Sequence, residues 1–269
     1  MSLPRSAFPS ILPPELAQAL HVADQLRAHA RSPVAVQARL EQAQLQNLLG
    51  HARRYSPFWR ARLDAARDRA DKADRTVLSD LPVLTRREVQ DNAEAMRARW
   101  PGLGADAIRV ASTSGSVGQP IRVERYLPTY RPMYGALARL DDEWQARDRS
   151  RTLAVIRDMP DTSRSSWGGL RLPGERTGEA HVRNLVDHTP QALADWLAKV
   201  RPGYLVTTPS MAGELARLAL ARGDDRVRLH QVMTFAEIVT PELRQRVSAA
   251  FGARITDRYS CEELGWIAM

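Results

Sequence analysis

The sequence contains one cysteine, Cys261, in 269 residues. A single thiol excludes an internal disulfide framework and any cysteine-rich zinc site. Lysine is almost as scarce: Lys72 and Lys199 are two among 39 basic residues, so the positive charge is carried by arginine. No run reaches the ~18–20 consecutive apolar residues of a membrane-crossing helix, and no membrane span is expected. The opening MSLPRSAFPSILPPELAQ has a short apolar patch but neither a long apolar region nor a small-residue cleavage site. No secretory signal is expected, and the cytoplasm is the expected compartment. The histidines, His51 in the helical part among them, show no repeated spacing with cysteine or aspartate, hence no metal or triad pattern.

What is present is an arginine-rich chain of formal charge +8, with 43% apolar and 26% charged residues. A nucleic-acid surface would need the arginines clustered on one face. Here they alternate with acids, as in RREVQDNAEAMRARW and ELRQRV. Solvated helix faces are the expected outcome, with no nucleic-acid partner.

The texture changes near residue 100. Before it, PPELAQALHVADQLRAHA and PVAVQARLEQAQLQNLLGHARRY carry apolar residues at three- and four-residue spacing and follow prolines. Ser56 is placed to cap the helix opening at Pro57, and Thr85 with Glu88 forms a capping-box pattern. After it, short β-type runs (TLAVIRD, YLVTT, LHQVMTF, RITDRY) alternate with helical stretches beginning TPQAL, PSMAG and TPELR. That alternation predicts an α/β class with a largely parallel sheet. The expected organisation is a helical N-terminal region over 1–100 and an α/β core over 101–269, with Ser163 to Gly178 as a loop.

Between two predicted strands, residues 111–120 read ASTSGSVGQP. Glycines let backbone approach an anion closely, and amides and hydroxyls donate to its oxygens. The stretch lacks the GK[ST] of a Walker loop. By itself a Ser/Gly-rich turn is more often a plain loop.

Three ordered matches give it a context. TSGSVGQP resembles the TSGSTGxP phosphate loop of the adenylate-forming superfamily. Thr234-Phe-Ala-Glu237, followed by TPELRQRV, resembles that superfamily's G-G/A-E segment and next helix. Asp257-Arg-Tyr-Ser-Cys-Glu-Glu263 resembles its D-x-Y-G-x-T-E. LQNLLGHARRYSPFWRARLDAA and LPVLTRREVQDN are similar to the opening of phenylacetate–CoA ligase-like proteins. Ser260 in place of glycine, with Glu262 before Glu263, is similar to the branch associated with capsular polysaccharide genes.

The resemblance spans roughly residues 40 to 269 and implies the large N-terminal domain of an adenylate-forming enzyme. It implies that Thr113, Ser114, Gly115, Ser116 and Gly118 hold the β- and γ-phosphates of ATP. Tyr259 would stack on adenine, with Asp257 near its amino edge and Glu237 in the same wall. Glu263 would be the catalytic acid that holds Mg2+ beside the α-phosphate. The implied reaction joins a small-molecule carboxylate to ATP as an acyl-adenylate, with coenzyme A as the implied co-substrate in a second step. Taken singly, Tyr259 reads as a core aromatic at a strand end, and Glu262 with Glu263 as the acidic start of a helix. Trp167 and His181 flank a loop where an acyl pocket could form. Cys261 reads as a small, half-buried residue rather than a nucleophile.

Several residues depart from the pattern. Val117 replaces a threonine, Ile121 stands where many members have lysine, and Ala236 replaces a glycine. Members of the superfamily continue past the last motif into a domain bearing a catalytic lysine, and neither Lys72 nor Lys199 lies in a matching motif. The expectation is therefore a truncated chain, feeble as a catalyst alone. Two other readings stay open: a non-catalytic nucleotide-binding or interaction module, and an adenylate-forming enzyme of polysaccharide assembly that does not use coenzyme A. A homodimer is also left open.

Overall fold

The computed structural model describes residues 12–67, 76–112, 120–168, 172 and 174–268. The chain divides into two compact units. One is His21–Arg131, and the other contains Pro132 onward together with the start of the first helix, through Leu20.

The first described stretch is helical, as the spacing predicts: α1 (Pro14–Arg31), α2 (Val34–Tyr55), α3 (Pro57–Arg67), α4 (Thr76–Asp80), α5 (Arg86–Asp91) and α6 (Ala93–Met96). The capping box at Thr85 is formed in full, with the Thr85 side chain accepting from the Glu88 amide and Glu88 accepting from the Thr85 amide. Ser56 does more than cap α3. Its buried Oγ donates toward the Ala95 and Met96 carbonyls, 3.1 Å each, tying the start of α3 to the end of α6. His51 lies tilted against Tyr55 and edge-on to Trp100, at 4.8 and 5.2 Å between ring centroids, and Trp100 meets Tyr126 edge-on at 5.2 Å. This aromatic chain joins α2 to the antiparallel hairpin β1 (Ile108–Ser112) and β2 (Arg122–Tyr126).

α7 (Leu127–Trp144) leads into a seven-stranded sheet made of β3 (Leu153–Arg157), β4 (Thr162–Arg164), β5 (Ala180–Asn184), β6 (Tyr204–Thr207), β7 (Gln231–Phe235), β8 (Arg254–Cys261) and β9 (Gly265–Ala268). Its strand order is β4-β5-β3-β6-β7-β8-β9. The pairs from β5 through β8 are parallel, and the outer pairs β4–β5 and β8–β9 are antiparallel. The α/β class expected from the alternation is what the chain forms.

Three crossover helices, α8 (Pro190–Val200), α9 (Pro209–Arg222) and α10 (Pro241–Phe251), start in the same way. Each has a threonine N-cap (Thr189, Thr208, Thr240) whose hydroxyl accepts the amide three residues on, and a proline in the first turn. Proline there loses no helical hydrogen bond and presets φ. Each helix brings an apolar stripe to one face of the sheet: Leu193 and Leu197, Leu215 and Ala216, Val247 and Phe251. These pack on Ile156, Leu205, Val232 and Ile255 of the strands. The other sheet face carries a smaller cluster of Leu153, Tyr204, Val206 and Met233, with Trp167 and Phe235 against it.

Two strands were not anticipated. β5 reads AHVRN, with only Ala180 and Val182 turned inward and buried. Its polar half masks the β pattern, and pairing to β3 supplies what propensity does not. The stretch expected as a loop from Ser163 onward begins inside β4, which is antiparallel to β5.

Candidate functional site

The site is built where parallel strands β7 and β8 end. Their register pairs Thr234 with Asp257 and Phe235 with Arg258. Side chains alternate across a strand, so Thr234 and Asp257 share the face that holds Val232 and Ile255. The Thr234 hydroxyl, fully buried, donates to Asp257 Oδ1 at 2.8 Å. That bond fixes the Asp257 carboxylate, a role the motif resemblance, which includes Thr234, did not give to it.

Past Phe235 the chain turns sharply at Ala236, whose φ of 70° lies in the left-handed region. The strain explains why a glycine is the usual residue of the resembling motif. The turn delivers Glu237 to the first turn of α9. Its two oxygens accept from the Ser210 amide at 2.8 Å and the Ser210 hydroxyl at 2.9 Å. A carboxylate at a helix N-terminus satisfies an orphan amide and the helix dipole together. Glu237 thus pins the 235–237 turn to α9. Replacing Ala236 with glycine relieves strain of ~1–2 kcal/mol and loosens the unfolded chain by ~0.4–1 kcal/mol. The expected net gain is about 0.5–1 kcal/mol, seen as a higher denaturation midpoint.

β8 runs on through Tyr259, which is 66% exposed, to Cys261. This is not the exposure of a core aromatic. A register shift separates Tyr259 from Ser260 in the ladder with β9, since Tyr259 pairs with Ala268 and Ser260 with Trp266. Such bulges re-aim side chains. Beyond it, Glu262 and Glu263 lie in the turn joining β8 to β9 rather than at a helix start. Glu263 is exposed and makes no ion pair among the described residues. Cys261 is half-buried and free.

The structure places Glu237 just past β7, Asp257 and Tyr259 on β8, and Glu263 in the turn that follows β8. Thr113, Ser114, Gly115, Ser116 and Gly118 lie outside the described residues, as does Val117. The strands on either side of them pair as a hairpin, with Ser112 opposite Arg122 at its last described rung. Trp167 and His181 are engaged elsewhere. Trp167 donates to the Arg151 carbonyl at 2.6 Å and packs edge-on against Tyr204. His181 lies within hydrogen-bond distance of Ser163 (2.9 Å) and Glu179 (3.0 Å).

Among the described residues, no group of three or more His, Cys, Asp or Glu could enclose a metal ion. A magnesium ion bound with a nucleotide does not need such a cage, because one carboxylate suffices when phosphates and water fill the other positions. Glu263, which has no ion pair among the described residues, is a carboxylate of that kind. No helix among the described residues is long and apolar enough to cross a membrane.

An open, mostly parallel sheet with polar side chains at its strand C-termini is a ligand-binding α/β architecture. No family model and no curated protein sequence matches the chain. Its backbone is similar to 2-hydroxyisobutyryl-CoA ligase in an open conformation in complex with 2-HIB-AMP and CoA. That match has 19% identity and a TM-score of 0.62, and covers 85% of this chain and 51% of the ligase. The same ligase in the postadenylation state in complex with R3-HIB-AMP matches at 19% identity and a TM-score of 0.60, over 87% of this chain and 50% of the other. The chain spans about half the length of the solved ligase. Over that half its fold is similar to that of the ligase.

Proposed function

We propose that the chain is the nucleotide-binding part of an ATP-dependent, carboxylate-activating ligase of the phenylacetate–CoA ligase-like branch. The observation that carries this is the arrangement at the ends of β7 and β8. Asp257 is oriented by Thr234, the 235–237 turn is anchored through Glu237, Tyr259 stands exposed, and Glu263 has no ion pair among the described residues. These are the residue types that an adenine, its amino edge and a phosphate-bound metal require.

In this reading the base stacks on Tyr259, its amino group donates to Asp257, and the 235–237 turn forms the facing wall. Thr113, Ser114, Gly115, Ser116 and Gly118 hold the β- and γ-phosphates. Glu263 would hold magnesium, which would offset charge at the α-phosphate. A substrate carboxylate oxygen attacks the α-phosphorus, the bond to the β-phosphate oxygen breaks, and pyrophosphate leaves. The resulting acyl-adenylate has a carbonyl that the thiolate of coenzyme A can attack, releasing AMP. Oriented donors matter most where that charge develops.

Calorimetric titration of MgATP into the chain and into its Ser114→Ala/Glu263→Gln double variant tests the reading. Saturable binding is expected for the natural sequence and at least ~100-fold weakening in the variant, which loses two charge-assisted contacts of ~1.5–3 kcal/mol each. A folded chain that takes up no MgATP removes the proposal.

A further inference from the structure

The residue between Asp257 and Tyr259 has no part in the motif reading, yet it is the most firmly held side chain at the end of β8. Arg258 points to the sheet face opposite Asp257. Its Nε and Nη2 donate to Asp141 Oδ2 of α7 at 3.1 and 2.7 Å. Its guanidinium lies 4.4 Å from the centroid of Trp266 on β9, and that indole meets Tyr134 of α7 at 5.0 Å. Nη2 also lies 3.4 Å from Met233 Sδ on β7. Asp141 is 1% exposed and is itself fixed by Arg147, whose Nη1 and Nη2 donate to it at 2.6 and 3.1 Å. The side chain of Arg147 is fully buried, and its Nε donates to Gln231 of β7 at 2.5 Å. A carboxylate on a helix and an indole on the last strand thus grip one planar guanidinium.

Pairing of β8 with β7 ends at the Phe235–Arg258 rung, and past it the strand pairs with β9. The ladder between β8 and β9 breaks register one residue later, at Tyr259 and Ser260, so Tyr259 lies at the bulge. A bulge re-aims the side chains beside it, so the direction of Tyr259 depends on what holds the strand just before it. We propose that Arg258 is a positioning residue: its grip by Asp141 and Trp266 holds β8 where it leaves β7 and so sets the direction of Tyr259 for the nucleotide. The role rests on the nucleotide reading of this strand end. Both contacts use the planar fork of arginine, two donors in its plane and a face for the indole, and lysine offers neither. Lysine at 258 is therefore not a conservative change.

Hydrogen exchange on the nucleotide-free chain, joined to MgATP calorimetry, tests this with the natural sequence and Arg258→Lys. Asp141 keeps Arg147 in the variant, so the fold persists. Exchange at the Tyr259, Ser260 and Cys261 amides is expected to quicken by about tenfold or more while β6 and β7 stay protected. The MgATP Kd is expected to rise by about tenfold. Unchanged exchange at residues 259–261 in Arg258→Lys overturns the proposal, as does a uniform rise across the sheet, which would mark general destabilisation. If the natural sequence binds no MgATP, the nucleotide reading fails and the positioning role with it. The exchange data then show separately whether Arg258 grips the strand end.

Discussion

Replacing Asp141 with alanine is expected to destabilise the fold by about 3–5 kcal/mol, the range for removing one member of a buried ion pair. The substitution leaves the side chain of Arg147, fully buried, without its bidentate partner, and frees Arg258. Desolvation makes the loss larger than the worth of the pair itself. Asp142 is the natural substitute, since its Oδ1 already lies 3.0 Å from Arg147 Nη1. It compensates only in part, because burial pushes the Asp142 carboxyl above the usual carboxylate range against the pull of Arg147. Chemical denaturation with tryptophan fluorescence reads the effect as a lower midpoint. The double variant Asp141→Leu/Arg147→Met is expected to be more stable than Asp141→Ala, because it leaves no buried unpaired charge. If both variants unfold at the midpoint of the natural sequence, the buried pair contributes nothing.

Tyr259→Ala should show the opposite profile, with a large effect on binding and almost none on the fold. The ring is two-thirds exposed, so little buried surface is lost and the midpoint should shift by no more than ~0.5 kcal/mol. A base stacked on an aromatic side chain contributes ~1–3 kcal/mol. MgATP binding should weaken by about 10–100-fold. Phenylalanine keeps the stacking face and should bind like the natural sequence. Equal affinity in the alanine variant would mean that adenine does not rest on this ring, and the strand-end reading would lose its central contact.

The helices and most of the sheet were legible because the signals are local. Thr-Pro at 189–190, 208–209 and 240–241 announces a cap and a first turn, and each opens a crossover helix. The Thr85–Glu88 box is equally local. β5 was not legible, because a central strand takes its stability from its neighbours, and AHVRN alone resembles a loop. The candidate site divides in the same way. Asp257, Tyr259, Glu237 and Glu263 stood out through motif resemblance. The partners that orient them lie far away in sequence: Ser210 for Glu237, Thr234 for Asp257, and Asp141, 117 positions from Arg258. No periodicity encodes a pairing at that range. The left-handed turn at Ala236 was visible only as a departure from glycine, and its strain appears once φ is known.

β8 also bears on how the sheet assembles. Its even positions, Thr256 and Arg258, meet Arg147 and Asp141, while its odd positions, Ile255 and Asp257, meet the apolar layer and Thr234. A slip of one residue would exchange the two sets. It would drive a guanidinium into the layer beneath α10 and set the Asp257 carboxylate against that of Asp141. Mispaired β8 is thus rejected by charge as well as by shape. The Asp141 cluster thus sets which face of β8 meets the apolar layer.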